Sequence, residues 1–511
     1  MGPGGLITHR LARGLAWGLV GAVVFVPLIA LVVLGVERLP TVVELAGKRT
    51  SGLLLRSVTL ALASTAVAMI LGGAAAISVE TLHVAAGARR WLRSLAVLPV
   101  LLPPYYQVAA WRPVLDPWLT ASAVTRTAIT VGLLGVALAP AFFFFASHGL
   151  RQLSADVVES AIVHGCSRRQ LVFGVIIPLI RPALLTGATL VFLMALLNYE
   201  VPVLLFLNVY PDEILVTYQS TADVGAAAVS ALPLVLVSVG VVLVFGRLFG
   251  GLSWTVLPTA RRATSQLSLG SFSWIGSAGF LALFAGVPIG RLVTLAWGDG
   301  IFSVAGRVLL LYGPELMLSL ATSIGAALFA VLLAFGVVDR SGLAPRFLGG
   351  IIWAPLAVPG ALLGAALIRV YNAPVVDLVY GSPVILIVAA VARFFPVAYY
   401  ALAAHLRSVP QEYWEHADLT PCSECERLFK VTVPLAWPGI TLAISVFLLL
   451  QIGELAAAVL VAPPGARPVA LIVYSLLHYN NDLEVPAMLC LLQLVAVLVV
   501  IALLQVVRRR G

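Results

Sequence analysis

The sequence predicts an all-α integral membrane protein built from two tandem halves of six transmembrane helices each. Hydrophobic residues make up 61% of the 511 residues and charged residues only 10%, whereas a soluble domain carries roughly a quarter charged residues. Twelve apolar runs reach the length of about 20 residues that a helix needs to cross a bilayer. The polar landmarks of the first half return in the second, which indicates that a six-helix unit was duplicated and fused.

The apolar runs are continuous rather than alternating, which favours helices over a transmembrane barrel. The predicted spans cover residues 15–36, 53–79, 94–115, 127–149, 179–207, 227–250, 272–296, 315–338, 347–370, 382–405, 437–461 and 485–507. Glycine and proline interruptions make the third and ninth spans the least regular. We therefore divide the chain into a first domain at 1–250, a polar linker at 251–271 and a second domain at 272–511.

The duplication is clearest in two polar segments, residues 159–178 and 415–434. Each begins with Glu-x-Ala and closes on a proline. The shift from Glu159 to Glu415, 256 residues, also superimposes Pro99 on Pro355, Pro103 on Pro359 and Pro140 on Pro396. Each proline fixes a local backbone geometry and removes a donor, so recurrence at one spacing indicates a structural repeat. Six spans precede the linker, so the second half begins on the same side of the membrane as the first. This predicts parallel halves related by a pseudo-twofold axis along the membrane normal.

The distribution of basic residues predicts the orientation. With the N-terminus inside the cell, most of the 31 lysines and arginines fall in cytoplasmic segments, as the positive-inside rule requires. Both termini, both repeated segments and the linker are then cytoplasmic. The net charge of +9 follows from this topology and is spread over many short loops, so it gives no indication of a nucleic-acid partner.

The four cysteines predict no disulfide framework. Cys166, Cys422 and Cys425 fall in predicted cytoplasmic segments, which are reducing in most cells, and Cys490 lies in the last span. Cys422 and Cys425 have the C-x-x-C spacing of a redox or metal pair, but no second pair accompanies them. We expect neither a bound metal nor a cofactor in this chain.

Each repeated segment predicts a short helix, a turn and a second amphipathic helix on the cytoplasmic surface. In the first copy, residues 156–163 suit the short helix and Gly165 permits the turn. Pro178 and Pro182 are expected to mark the start of the fifth span, because proline is tolerated in the first helical turn. A polar surface element present in two copies indicates docking to another component.

The third span contains the segment LPVLLPPYYQ at residues 98–107. Its prolines predict a broken helix, which membrane proteins tolerate where the backbone lines a cavity or packs against neighbours. Tyr105, Tyr106 and Gln107 are therefore candidates for lining a pathway. The alternative is that these aromatic residues belong to a belt at the membrane–water interface.

Three polar residues near the ends of the fifth and eleventh spans are further candidates. At the shift of 256 residues, Glu454 occupies the position of Asn198, and Glu200 lies two residues beyond Asn198. Carboxylates inside a membrane are costly, and their presence is a functional hypothesis by default. If they lie at the surface instead, they are solvated helix ends. His478 is expected on the external side, where a structural role is favoured over a partner contact.

The sequence lacks the motifs of the enzyme classes that a membrane protein most often carries. It contains no G-x-x-x-x-G-K-[ST], no H-E-x-x-H and no G-x-S-x-G. The chain has only two lysines, Lys48 and Lys430, and neither follows a glycine-rich turn. We therefore expect no catalytic residues and no ATP-binding loop in this polypeptide.

The first repeated segment resembles the EAA loop of ABC-importer membrane subunits, whose pattern is roughly E-A-A-x3-G-x9-I-x-L-P. The residues that carry the resemblance are Glu159, Ala161, Gly165 and Pro178, at matching spacing. The second copy keeps three of the four motif positions and has a proline where the pattern has glycine; its residues are Glu415, Ala417, Pro421 and Pro434.

The resemblance implies two fused permease domains in a bacterial inner membrane. Such loops dock on two separate cytoplasmic ATPase subunits, and an extracytoplasmic binding protein delivers the substrate. The fused arrangement, with Gly453-Glu454-Leu455 and Ala462-Pro463-Pro464-Gly465 before His478, looks most like ferric-iron permeases. Thiamine and aminoethylphosphonate permeases remain alternatives. An ion-coupled secondary transporter explains the repeat but not the duplicated loops, and a scaffolding protein explains neither broken helices nor embedded carboxylates.

Overall fold

The computed structural model describes residues 13–38, 48–82, 84, 88, 92–93, 95–96, 102–120, 122–151, 153–248, 271–298, 300–338, 346–419, 424–479 and 483–510. Residues 251–270 of the predicted linker lie outside this set, as do Pro99, Pro421 and Cys422.

In the part of the first half that the structure describes, six apolar helices have three short helices between them. Its helices are α1 (Arg13–Glu37), α2 (Lys48–Glu80), α3 (Pro104–Leu119), α4 (Ala123–Arg151), α5 (Ala155–Val163), α6 (Leu171–Leu196), α7 (Glu200–Leu204), α8 (Tyr210–Thr221) and α9 (Val224–Leu248). A short turn of helix, Arg168–Gln170, runs directly into α6.

The second half repeats this order. Its helices are α10 (Ser273–Leu295), α11 (Ile301–Val337), α12 (Arg346–Ala357), α13 (Gly360–Tyr371), α14 (Asp377–Tyr380), α15 (Val384–Ser408), α16 (Gln411–Leu419), α17 (Phe429–Ile452), α18 (Ala458–Val461), α19 (Val469–Tyr479) and α20 (Glu484–Arg510). Among the described residues, ten helices are long and apolar enough to cross a membrane, and α13 and α19 are shorter apolar helices. The predicted all-α class of about twelve spans is confirmed.

The third and ninth spans are broken, as the sequence predicts. Helix α3 begins only at Pro104, and a break separates α12 from α13. Pro103 and Pro359 precede α3 and α13 with almost the same extended backbone, at φ −50° and ψ 147° and at φ −54° and ψ 136°. The two prolines are related by the 256-residue shift, so the repeat is visible in the backbone as well as in the sequence.

In the described ranges, four helices contain a wide π-type turn, and each such turn ends two residues before a proline. The pairs are Gly21–Phe25 with Pro27, Leu171–Ile176 with Pro178, Ala282–Gly286 with Pro288, and Leu428–Thr432 with Pro434. In a regular α-helix the proline ring clashes with the carbonyl four residues earlier. The extra residue of a π-turn moves that carbonyl away, so the helix continues through the proline. The turns occur in the first and fifth long helices of both halves.

These turns correct one prediction from the sequence. Pro178 and Pro182 do not mark the first turn of the fifth span, because the helix already begins at Arg168. The predicted second surface helix after Gly165 is therefore the start of the long helix itself. The sequence signal for this start is Ser167-x-x-Gln170, a capping box. The backbone N–H of Ser167 donates to Gln170 Oε1 at 2.9 Å, and the N–H of Gln170 donates to Ser167 Oγ at 3.4 Å.

The first helix of each half packs against the other half. Val20, Val23 and Val24 of α1 are buried in the core cluster formed by the second half. On the other side, Phe280 of α10 stacks on Phe143 of α4 with ring centroids 5.3 Å apart. The two halves therefore exchange their first helices: α1 packs on the second half and α10 packs on the first.

Helices α2 and α4 cross closely at Gly135, and this contact gives a test of the packing. A Cβ added at Gly135 would lie 2.6 Å from Val67 Cβ and 3.1 Å from the Ser64 carbonyl oxygen, whereas one added at Gly132 meets nothing within 4 Å. We expect Gly135→Ala to destabilise the protein by about 1–3 kcal/mol through overpacking. The matched control, Gly132→Ala on the same helix, is expected to be neutral or to stabilise. Thermal unfolding in nanodiscs measures both, and equal melting temperatures would contradict the packing.

Candidate functional site

The first repeated loop is a short helix with a defined ending. Helix α5 closes in a Schellman motif, in which the N–H of Gly165 donates to the Ile162 carbonyl at 2.9 Å and that of Cys166 to the Ala161 carbonyl at 3.1 Å. Gly165 has φ +77°, a left-handed conformation that glycine adopts without steric cost. The Glu-x-Ala and glycine positions of the motif thus build one rigid turn, and Pro178 lies beyond it on α6.

The two loop helices are fixed to the bundle at equivalent positions. Val158 is fully buried and Trp414 is 8% exposed, and each lies one residue before the glutamate of its loop. Glu159 and Glu415 are exposed, and Glu415 accepts a hydrogen bond from the side-chain amide of Gln411 at 2.9 Å. The helix containing Ala417 continues to Leu419. Each loop therefore presents an acidic residue outward from an anchored helix.

A buried ion pair lies at the end of the bundle where α4 leads into α5. Glu80 is fully buried and accepts two hydrogen bonds from Arg93, at 2.7 and 2.6 Å. Ser147 donates a third to Glu80 at 2.5 Å, one turn before α4 ends. The sequence reasoning missed this cluster because it treated Glu80 only as the end of the second span. At the 256-residue shift the second half has Gly336 at the position of Glu80.

Tyr105 and Tyr106 are buried between the halves. They are 0% and 1% exposed, and their rings meet edge to face at 4.9 Å. The Tyr105 hydroxyl donates to the Ile452 carbonyl at 3.2 Å, and the Tyr106 hydroxyl donates to Gln493. Both side chains are therefore packed inside the protein, and the interface-belt alternative stays a prediction. A place on a pathway stays a prediction.

The side chains of Asn198 and Glu454 each accept a hydrogen bond from the backbone N–H three residues later. Asn198 Oδ1 accepts the backbone N–H of Val201 at 3.1 Å, and Glu454 Oε1 accepts that of Ala457 at 2.9 Å. Both residues therefore lie beyond the ends of α6 and α17 rather than inside these helices. The apolar composition that continues past them led the sequence reasoning to extend the two spans too far.

A charged cluster joins the halves next to Tyr105. Arg393 Nε lies 2.8 Å from Glu454 Oε2, and both side chains are almost buried. Glu200 is 6% exposed and lies within electrostatic range of Arg393 and Glu454. Gly360 makes room for the guanidinium, since an added Cβ would collide with Arg393 Nη1. The sequence reasoning missed Arg393, although a charge in the middle of a predicted span is a visible signal.

A small cavity of about 30 Å³ opens beside this cluster, more than the roughly 10–15 Å³ that one water molecule needs. Its polar lining comes entirely from the second half and consists of Ser319, Thr322, Ser323, Gln451, Glu454 and Gln493. The cavity, the ion pair and the two tyrosines form one polar region in the centre of an apolar bundle.

Helices α8 and α19 are each held at their first residue by a serine, and the 256-residue shift does not relate these two contacts. Ser57 Oγ accepts the backbone N–H of Tyr210, and Ser319 Oγ accepts that of Val469, both at 2.8 Å. The serines are 262 residues apart and their partners 259. Small length differences between the halves therefore move these equivalent residues out of the 256-residue register.

The chain matches the family described as binding-protein-dependent transport system inner membrane component over residues 19–253 and 326–510. One match lies in each half, and together they cover more than half of the chain. The chain belongs to this family of transport membrane components. Its duplicated architecture is therefore that of two fused permease domains, as the resemblance of the EAA loops implies, and the protein is a multi-pass membrane protein.

Two relatives of this permease carry ferric transport names. It is 24% identical to the ferric transport system permease protein FbpB of Actinobacillus pleuropneumoniae over 332 residues, which cover 60% of this chain and 48% of the relative. It is also 24% identical over 333 residues to a Haemophilus influenzae protein provisionally named ferric transport system permease protein FbpB 1, covering 60% of this chain and 52% of the relative. The matched region of this permease thus spans about half the length of these curated relatives.

A third relative of the permease carries a different substrate in its name. A Salmonella typhimurium protein, provisionally named 2-aminoethylphosphonate transport system permease protein PhnV, is 23% identical over 200 residues. That match covers 38% of this permease and 75% of the relative. Ferric and phosphonate transport names therefore both occur among the relatives.

Proposed function

We propose that the chain is the membrane-spanning permease subunit of an ATP-binding-cassette importer. In this proposal α5 and α16 dock on two separate cytoplasmic ATPase subunits, which carry out ATP hydrolysis. The observation that carries it is the pair of anchored loop helices with outward glutamates, Glu159 and Glu415, placed equivalently in the two halves. An ion-coupled secondary transporter has no use for two such docking helices.

The loop helices expose apolar side chains, which favours contact with a protein partner over contact with water. On α5, Val157 and Ile162 are 43% and 46% exposed and Val163 is 83% exposed. On α16, Tyr413 is 56% exposed. Apolar side chains grouped beside an acidic residue on a surface helix are typical of a docking site. Rigid-body movement of these helices is a means of passing ATPase closure to the membrane domains.

The remaining parts of the proposal follow from this docking. The loops, both termini and the linker at 251–271 face the cytoplasm of a bacterium, between domains at 1–250 and 272–511. An extracytoplasmic binding protein delivers substrate to the opposite side. We propose ferric iron as the substrate, because the relatives with ferric transport names match 60% of the chain, against 38% for the aminoethylphosphonate relatives. The alternatives are 2-aminoethylphosphonate, supported by the Salmonella relatives, and thiamine.

Co-purification of the full chain from its native membrane tests the importer proposal. We expect an ATPase to be recovered with the detergent-solubilised protein at about two copies per chain, together with ATP-dependent uptake in vesicles. Uptake of ferric iron, 2-aminoethylphosphonate and thiamine, each with the co-recovered binding protein, then separates the substrates. Uptake driven by a proton or sodium gradient without an ATPase would overturn the proposal in favour of a secondary transporter.

We further propose that Tyr105, Tyr106, Asn198, Glu200 and Glu454 belong to the translocation pathway. In protein that stays folded, Glu200→Ala and Glu454→Ala are expected to lower the uptake rate on the order of tenfold, a change of about 1.4 kcal/mol in the transport barrier. Because Glu454→Ala also removes the partner of Arg393, its melting temperature is measured beside its uptake. Recovery of the ATPase is expected to be unchanged, because the 26-residue helix α6 and the 24-residue helix α17 separate these carboxylates from the loop helices. Wild-type uptake in both variants would assign these carboxylates a structural role.

A further inference from the structure

We propose that four side chains along the interface between the halves, Asp212, Tyr474, Tyr199 and Glu200, form a binding row for a hard trivalent cation. The outer end of the row lies at α8 and α19, which carry Asp212 and Tyr474. Its inner end, at Glu200, lies next to the Arg393–Glu454 pair. This inference deepens the proposed function and rests on it for the direction of transport. The binding of a cation itself does not depend on an ATPase.

The four residues form a continuous series. The rings of Tyr199 and Tyr474 meet at 6.3 Å and 63°. Asp212 lies within electrostatic range of Tyr474 and of His478, the residue whose ring stacks on Tyr474 at 5.9 Å. At the inner end, Glu200 lies within electrostatic range of both tyrosines. The order along the interface is therefore carboxylate, phenol, phenol and carboxylate.

One member of the row is a buried polar group without a partner. Tyr199 is 2% exposed, and its hydroxyl has no hydrogen-bond partner within the part of the chain that the structure describes. Burying a hydroxyl in this way costs about 1–3 kcal/mol. The side-chain oxygens of Gln107 and Gln451 are also buried and without a described partner. Unpartnered oxygens at the centre of the bundle are suited to a ligand that accepts their lone pairs.

The charge of the region favours a cation. Glu200 and Glu454 face a single described guanidinium, that of Arg393, which is already paired with Glu454. When a bound cation displaces the proton of the buried Glu200 carboxyl, the cluster carries one negative charge, and Asp212 adds another at the outer end. Carboxylate and phenol oxygens are hard ligands, which bind hard cations in preference to soft ones.

The row is present once, although the fold is duplicated. The 256-residue shift places Leu455 and Ala456 at the positions of Tyr199 and Glu200. Around α8 and α19 the register is 259 residues, which places Leu471 opposite Asp212 and Leu215 opposite Tyr474. The donors therefore line one path on the interface rather than two symmetric copies. A single row from both halves is what a common pathway for one ion requires.

Terbium binding to the full chain in lipid nanodiscs tests the proposal. Tb³⁺ is a hard trivalent cation whose luminescence increases when nearby tyrosine rings transfer excitation to it. We expect saturable, tyrosine-sensitised luminescence that Ga³⁺ displaces. Glu200→Gln is expected to weaken Tb³⁺ affinity on the order of tenfold, and Tyr199→Phe to reduce it severalfold. The control variants are Glu37→Gln, an exposed carboxylate on α1, and Tyr479→Phe, an 81% exposed tyrosine at the end of α19; both are expected to bind as the wild type does.

The outcomes separate this proposal from the importer proposal. Equal Tb³⁺ luminescence in the wild type and in the Glu200→Gln/Tyr199→Phe double variant would overturn the row, even if an ATPase co-purifies. Saturable binding that the double variant loses supports the row, even if no ATPase is recovered. Thermal unfolding of each variant shows that it is folded, since a loss of binding with unchanged melting temperature belongs to the site.

Discussion

Replacing Glu159 and Glu415 together with lysine is expected to abolish transport while the protein stays folded in the membrane. Both glutamates are exposed on anchored helices, so the substitutions reverse the charge of the docking surface without opening the core. A reversed charge at an interface costs several kcal/mol when it meets a complementary partner. We expect the ATPase to be lost from the co-purified complex and ATP-driven uptake to fall to background.

The single variants and a matched control sharpen this test. Glu159→Lys and Glu415→Lys separately are expected to give partial losses, because each removes one of two docking helices. Glu37→Lys, at the end of α1, changes the charge by the same amount away from the loops and is expected to leave uptake unchanged. Normal transport in the double variant would remove the assignment of α5 and α16 as coupling helices.

Arg393→Ala is expected to produce the largest loss of stability in the protein. The substitution leaves Glu454 and Glu200 buried without their shared cation, and breaking a buried pair by removing one partner costs about 3–5 kcal/mol. The melting temperature in nanodiscs is expected to fall clearly, with uptake lost as a consequence.

A second variant distinguishes the charge from the volume of the side chain. The double variant Arg393→Met/Glu454→Gln removes both charges and keeps an acceptor for the backbone N–H of Ala457. Neutral replacement of a buried pair is often harmless, so we expect most of the stability to return. If Arg393→Ala melts at the wild-type temperature, the buried pair does not stabilise the fold.

The parts of the fold that depend on local backbone chemistry were predictable from the sequence. Proline spacing predicted the breaks before α3 and α13, and the turn at Gly165 followed from the steric freedom of glycine. The wide turn before Pro178 was missed, because no propensity rule shows whether a helix ends at a proline or widens to pass it. The capping box at Ser167 would have indicated that the helix begins before that proline.

The contacts at the candidate sites were less predictable, because they depend on which helices become neighbours. Glu80 and Arg93 lie 13 residues apart, and Arg393 and Glu454 lie 61 apart, with nothing in either spacing to indicate a pair. Tyr105 was identified as a candidate, but its contact with Ile452, 347 residues away, required the arrangement of the two halves. The 256-residue shift relates equivalent positions in the two halves, but it does not indicate which residues of one half contact the other.

The exchange of first helices has a consequence for biogenesis. Helix α1 leaves the ribosome before the second half, yet Val20 packs in a cluster whose second-half members begin at Ala326, roughly 300 residues later. At a synthesis rate of about 5–20 residues per second, that surface waits on the order of 15–60 s for its partner. During this interval lipid or an insertion factor must cover the inner face of α1. Slower translation of the second half would lengthen the vulnerable period and expose the nascent chain to membrane proteases.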